Sequence, residues 1–403
     1  MSEFTRVRLR DISSRVATRN SIGNTNVLTI SATHGLVNQE EFFNRRVAGA
    51  DLSQYHLLKE GDFAYNKSYS AGRPAGVVRR LEGHEAGVVS PLYICFRPDD
   101  RRVNSSYLQY YFDSGLLDDS ILWIAKEGVR NHGLLNVGVG DFFDLSVELP
   151  SLADQEWVVE VLDSVTELER GIEASIAKLR SLRQGVLLSS MESVVSQNPL
   201  QGWIRVPLRD VVPSVEYGIS EALDTDTRGV PVLRMNNIQS GRIDVEELRF
   251  CSTASISGKL LLRRGDVLFN RTNSMEHVGK AAVWRNELPN ASFASYLVRL
   301  IPDLRRVTPE FLVEWLMHPL VRKRVRSIST VAVQQVNVNP SRLRELEIDI
   351  PVDLAEQRSI VATLEASDEQ ISREIGELKK IRDLKQGLGG DLLTGRVAVS
   401  TMA

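Results

Sequence analysis

The sequence predicts an α+β protein: two tandem α+β domains, each followed by a long helix, with the two long helices forming an antiparallel coiled coil and the chain pseudo-two-fold symmetric. Three observations carry this expectation. Four segments recur in the same order about 200 residues apart. Short β-rich runs punctuated by Gly and Asn fill the first part of each half. A long amphipathic stretch without proline closes each half.

The recurrences are specific. Val7-Arg8-Leu9-Arg10-Asp11-Ile12 returns as Val206-Pro207-Leu208-Arg209-Asp210-Val211. Leu57-Leu58-Lys59-Glu60-Gly61-Asp62-Phe63-Ala64-Tyr65-Asn66-Lys67 returns as Leu261-Leu262-Arg263-Arg264-Gly265-Asp266-Val267-Leu268-Phe269-Asn270-Arg271. Leu149-Pro150 with Leu152-Ala153-Asp154-Gln155 returns as Ile350-Pro351 with Leu354-Ala355-Glu356-Gln357, and Leu182-Arg183-Gln184-Gly185 returns as Leu384-Lys385-Gln386-Gly387. One match could arise by chance; four in register make a duplicated pair of domain and helix. The spacing is far longer than a solenoid repeat.

The expected boundaries follow: an α+β domain over 1–150, a long helix over 151–197, a second α+β domain over 198–350, and a second helix with a tail over 351–403. In the domains, Val27–Ser31, Gly87–Val89, Leu92–Phe96 and Tyr296–Ile301 read as strands. Ser106–Ser114 and Pro309–Met317 have helical spacing, as in Tyr107, Leu108, Tyr111 and Phe311, Leu312, Trp315. Helix runs from Ala153 to about Met191, where Val165, Leu168, Ile172, Leu179, Leu182 and Val186 form an apolar stripe at heptad spacing. The matching stripe after Pro351 is Leu364, Ile371, Leu378, Ile381 and Leu388. A narrow stripe on so long a helix needs a partner, and its own repeat is the partner expected. Separate packing of each helix on its own domain is the alternative.

Composition excludes several classes. The 403 residues are 42% hydrophobic and 25% charged, which is globular rather than disordered. No apolar run is long enough for a membrane span, and Met1–Arg10 has no secretory pattern. Cys95 and Cys251 are the only cysteines, which suits a reducing cytoplasm. The net charge of −3 hides local basic spots, such as Arg79-Arg80, Arg305-Arg306 and Arg322-Lys323-Arg324-Val325-Arg326. Acidic residues gather instead in the helical stretches.

No catalytic constellation can be assembled. There is no Asn/Asp-Pro-Pro-Tyr/Phe; Asn198-Pro199 and Asn339-Pro340 lack the following residues. The Gly138-Val139-Gly140 pair lacks the third glycine of a dinucleotide fingerprint, and no P-loop is present. The six histidines have no metal-ligand spacing. No cofactor and no metal are expected on this chain.

At this point the chain resembles a known family, the specificity subunits of type I restriction–modification systems. The resemblance is carried by Lys59-Glu60-Gly61-Asp62-Phe63-Ala64-Tyr65-Asn66, Val232-Leu233-Arg234-Met235-Asn236-Asn237-Ile238 with Gly241, and Leu354-Ala355-Glu356-Gln357-Arg358. Lys385-Gln386-Gly387-Leu388 followed by Asp391-Leu392-Leu393-Thr394-Gly395-Arg396-Val397 adds to it, and the resemblance covers nearly the whole chain. It implies two target-recognition domains, each reading half of a bipartite, asymmetric double-stranded DNA site. It implies helices that space the readers and dock two modification subunits, which bring S-adenosylmethionine and methylate adenine at N6. Restriction and translocase subunits would bring ATP and Mg. The chain itself would be a non-catalytic, cytoplasmic recognition subunit. About 38 helical residues at 1.5 Å rise span roughly 57 Å, so an unread spacer is expected between half-sites. A coiled-coil adaptor that binds only protein is the competing reading, and the slight acidity favours it.

Bases are read by Arg, Lys, Asn and Gln side chains, which come most readily from loops. Two loops per copy are candidates. The first follows the Gly-Asp strand: Asn66, Lys67, Ser68, Tyr69 and Arg73 in one copy, and Asn270, Arg271, Thr272 and Asn273 with Lys280 in the other. The second precedes the Leu-Pro or Ile-Pro exit: Arg130, Asn131, His132 and Asn136, against Gln334, Gln335 and Asn337. The positions correspond while the residues differ, as two readers of unlike half-sites require. The same Asn and Gly residues would also serve plain turns.

Overall fold

The computed structural model of the chain describes residues 4–31, 34–45, 48–68, 72–125, 133–239, 241–252, 256–332 and 335–397. They group into two compact units, Met1–Glu173 with Gly376–Ala403, and Ala174–Ile375.

In the first unit a four-stranded antiparallel sheet has the order Ser13–Val16, Ile94–Pro98, Phe63–Asn66, Val77–Arg80. A separate pair joins Thr5–Arg8 to Ser146–Leu149. In the second unit the sheet order is Ser214–Tyr217, Leu297–Ile301, Val267–Asn270, Ala281–Val283, and the separate pair joins Trp203–Pro207 to Glu347–Pro351. The duplicated sequence therefore folds to a duplicated sheet order. The strand expected over Leu92–Phe96 starts only at Ile94, because the Tyr93 N–H closes a turn on the Ser90 carbonyl at 3.1 Å.

Each sheet packs on a helix capped by the residue before it. Asn104 accepts from the N–H groups of Ser106 and Tyr107 ahead of helix Ser105–Asp113; Thr308 accepts from Phe311 ahead of Pro309–Met317, which carries proline where its missing N–H costs nothing. Tyr107, Leu108 and Phe112 enter a core with Phe63, Phe96 and Phe142 in one unit. Phe311, Leu312 and Trp315 enter the corresponding core with Val267, Phe269 and Val298 in the other. Each such burial contributes roughly 1.5–3 kcal/mol.

The Gly-Asp motif is a turn device. Gly61 and Gly265 have φ of +87° and +92°, a region that favours glycine. Beside them, Asp62 and Asp266 accept the N–H groups of Lys59 and Arg263 at 2.8 and 2.9 Å, closing the turn before the strand. Each Asp also pairs with an arginine of the adjacent strand, Arg97 or Arg299.

The long helices run over Leu152–Ser190 and Leu354–Leu393. The glutamine of each repeated motif ties its helix to a domain. Gln155 is buried, accepts the Asn104 N–H at 2.8 Å and donates to the Pro150 carbonyl at 3.0 Å. Gln357 is buried, accepts the Thr308 N–H at 2.9 Å and donates to the carbonyls of Pro351 and Arg306, both at 2.9 Å.

Within each unit, segments of the two helices pack together and run antiparallel. In the first, Val158 and Leu162 share a core with Leu388, Leu392 and Leu393, while Glu169 pairs with Arg382 and Lys385. In the second, Leu187 shares a core with Val361 and Leu364, while Arg183 pairs with Asp368 and with Glu314. The seam differs from the expected stripe at two positions. Leu168 and Leu182 are 52% and 55% exposed, whereas Val165, Ile172, Leu179 and Val186 are half-buried and Ile176 is buried. Continuing the heptad from Val158 and Leu162 leads to Glu169 and Arg183, not to the leucines beside them. Charged residues hold those seam positions, so a search for apolar residues alone steps one residue aside. Polar seam residues of this kind fix register and orientation. Burial pushes the Glu314 carboxyl above its ordinary range, with Arg183 opposing. Burial also acts on Glu169, but bonds from Arg382 and Lys385 prevail and hold it below that range.

Candidate nucleic-acid interface

In both copies the strand after the Gly-Asp turn delivers an asparagine to a loop closed by a glycine. Gly76 has φ of +81°, and a Cβ there would lie 2.4 Å from the Asn66 carbonyl oxygen. Gly279 has φ of +82° and donates its N–H to the Asn270 carbonyl at 2.8 Å. Only glycine lets the returning chain come so close.

The two candidate loops of each copy lie side by side. In the first unit Ser68 bridges Leu134, and the Leu135 N–H donates to the Lys67 carbonyl at 2.9 Å. In the second, Thr272–Asn273 pairs antiparallel with Gln335–Asn337, which pairs in turn with Thr330–Ala332. The Val338 N–H donates to the Arg271 carbonyl at 2.8 Å. Segments roughly 65 residues apart in sequence thus form one surface, at corresponding places in both copies.

The individual side chains divide into two groups. In the first copy Asn136 is exposed, and Asn66, Lys67, Ser68 and Arg73 are half-buried. Asn66 accepts from the N–H and hydroxyl of Ser68, at 3.0 and 2.9 Å. Lys67 reaches the Val137 carbonyl and Arg73 the Asp113 carbonyl, each at 3.5 Å. In the second copy Gln335 is exposed, and Asn273 and Lys280 are half-buried. Lys280 makes a long contact to Gln239, at 3.4 Å.

Others belong to the frame. Asn270 is fully buried and Thr272 nearly so, so neither side chain reaches the surface in this structure. Arg271 donates to Asn337 Oδ1 at 2.8 Å and to the Ser295 carbonyl at 3.4 Å, and its guanidinium lies 5.3 Å from the Tyr217 ring centre. Arg271 and Asn337 thereby join the two loops. Tyr69, Arg130, Asn131, His132 and Gln334 lie outside the described residues.

Sequence reasoning missed Tyr217, which is half in solvent beneath Arg271, because a lone tyrosine on an edge strand carries no pattern. It also read Arg322 and Arg326 as surface spots, whereas both reach carbonyls of the Ser274–Gly279 loop. Among the described residues, no cluster of three or more His, Cys, Asp or Glu could hold a metal ion, and no helix is long and apolar enough to cross a membrane.

Residues 201–382 match the family model of the type I restriction modification DNA specificity domain. This match assigns residues 201–382, the second copy, to that domain. It is 26% identical over 196 residues to the putative type I restriction enzyme MjaX specificity subunit of Methanocaldococcus jannaschii, a match covering 48% of this chain and 46% of that protein. It therefore spans under half of that relative's length. It is 21% identical over 327 residues to the EcoKI specificity subunit of Escherichia coli, covering 76% of this chain and 68% of the other. In fold it is similar to a chain solved in work on complex assembly and conformational transition of the type I R-M system, with a TM-score of 0.62, 17% identity and 97% of each chain covered. It is also similar to the type I restriction-modification system S subunit of M. genitalium, with a TM-score of 0.55, 12% identity, and 97% and 96% of the two chains covered. The family model matches the C-terminal copy, and the shared sheet order shows that the N-terminal copy has the same architecture.

Proposed function

We propose that this chain selects the DNA target of a type I restriction–modification complex and performs no chemistry itself. Residues 1–150 and 198–350 are the two target-recognition domains, and 151–197 and 351–403 carry the helices that serve partner subunits. The observation that carries the reading is the joining of the two candidate loops in each copy, on the same frame and with different side chains. One frame with two loop sets suits a bipartite site of two unlike halves. The exposed or half-exposed donors Lys67, Arg73 and Asn136 serve one half, and Asn273, Lys280 and Gln335 the other. Two modification subunits, carrying S-adenosylmethionine, methylate adenine at N6. Restriction and translocase subunits, using ATP and Mg, act on unmodified DNA.

The test uses the full chain purified with modification subunits. A pool of duplex DNA randomised over about 20 base pairs, roughly two helical turns, is sorted by binding. The expected result is enrichment of two unlike short motifs separated by an unread spacer. Enrichment of nothing, or of a single motif, overturns the reading. Incubation of the pure chain with DNA, S-adenosylmethionine and Mg should leave the DNA unmodified and uncut.

A further inference from the structure

In the second copy, the loop between the two cationic or amide side chains proposed to read DNA, Asn273 and Lys280, is held by an adjacent helix. Ser274–Gly279 lies against helix Pro319–Ser327. Arg322 Nη2 donates to the carbonyls of Glu276 and Val278, at 2.8 and 3.0 Å, and Arg326 Nη2 reaches the Glu276 carbonyl at 3.5 Å. Val278 is buried in the same core as Val321 and Val325. A Cβ on Gly279 would come within 3.0 Å of Val325 Cγ1, so loop backbone and helix side chain are in close contact.

The clamp joins side-chain charge to loop backbone rather than to a carboxylate. Among the described residues, Arg322, Lys323, Arg324 and Arg326 form no ion pair with a carboxylate. Burial and the neighbouring Arg326 push the Arg322 guanidinium below its ordinary range. Its half-buried charge is directed at two loop carbonyls. Both bonds come from Nη2, whose two N–H groups are fixed in the guanidinium plane, a direction and reach that the tetrahedral ammonium of a lysine does not reproduce. The corresponding helix of the first copy, Asp118–Ile124, has no basic residue.

We infer that Arg322, with Arg326 beside it, is a positioning residue for sequence discrimination in the second copy: it fixes the Ser274–Gly279 backbone and so the direction of Asn273 and Lys280. The inference rests on the proposed role of the chain as a DNA reader. Base discrimination by a side-chain fork needs its direction set, and each well-made contact supplies about a tenfold preference or more. A residue acting through loop order should change preference between bases, whereas a phosphate contact changes affinity for all sequences and the salt dependence.

The experiment compares Arg322→Lys, Arg322→Met and Lys323→Ala in the full chain purified with modification subunits, using the randomised duplex pool. Amide exchange of the Ser274–Gly279 loop is followed in the same samples. The expected result is that both Arg322 variants speed exchange in that loop and lower base preference in one half-site by roughly tenfold, with the other half-site and the salt slope unchanged. Lys323→Ala should leave exchange and preference alone. The unaffected half-site also reports that the variants fold. Wild-type behaviour of Arg322→Lys overturns the inference, since charge would then suffice. So does a salt slope lowered by about 1 in Arg322→Met with preference intact, which would mark a phosphate contact. If the wild-type pool shows no base preference, the reading of the chain as a DNA reader fails and the specificity role with it. Unchanged exchange would separately overturn the clamp.

Discussion

The two copies of the α+β domain agree where they touch backbone and differ where they present side chains. Asp62 and Asp266 close the same turn, and Gln155 and Gln357 make the same tie between helix and domain. Both Asn-ended strands return through a glycine. Beyond these points the copies part. The second copy clamps its loop with the basic helix Pro319–Ser327, while the first has the acidic and apolar Asp118–Ile124, with Trp123 86% exposed. The second copy also forms a three-stranded ribbon over its two loops, while among the described residues of the first the loops share a single bridge. Side chains that bond to backbone are indifferent to what the neighbouring residues are. A frame built from such bonds tolerates two different loop sets.

The strongest break of this comparison is at the Gly-Asp turn. Arg299 is almost buried and is shared by Asp266, Glu216 and two carbonyls, whereas Arg97, the partner of Asp62, is half in water. Asp266→Ala should therefore destabilise the second unit by about 3–5 kcal/mol, the usual cost of leaving a buried charge short of its partner. Asp62→Ala should cost the first unit about 1–3 kcal/mol, because Arg97 can turn to solvent. Amide exchange in strands Val267–Asn270 and Phe63–Asn66 measures each separately. Equal losses would mean that only the turn bond matters.

A smaller effect sharpens the likeness. Gln357→Ala orphans one N–H and two carbonyls, and Gln155→Ala one of each, at about 1–3 kcal/mol for a buried polar group left unpaired. Denaturant unfolding should show the larger loss in Gln357→Ala. The Glu variants keep the acceptor but set a buried carboxylate against those carbonyls, so near neutral pH they should lose at least as much as Ala at both sites.

Much of this architecture was legible in the sequence, because a duplication compares a chain with itself. The strands named from β-rich runs, the helices near Ser106–Ser114 and at Pro309–Met317, and the extent of the first long helix follow from residue pattern. The seam was misplaced at Leu168 and Leu182 because Glu169 and Arg183 occupy it, and hydrophobic periodicity cannot mark a charged seam position. The candidate loops were found separately, but their pairing depends on a contact between segments far apart in sequence, which no local pattern encodes. Nor can composition separate an arginine that points to solvent from Arg322, whose acceptors are backbone carbonyls common to every residue.

The most direct test of the account is to sort the randomised duplex pool with wild type and with an Asn273→Ala, Lys280→Ala double variant. The account predicts that wild type enriches two unlike motifs, and that the double variant loses preference in one of them by roughly tenfold or more while keeping the other and the spacer. Equal weakening of both motifs, or no change in either, would contradict it.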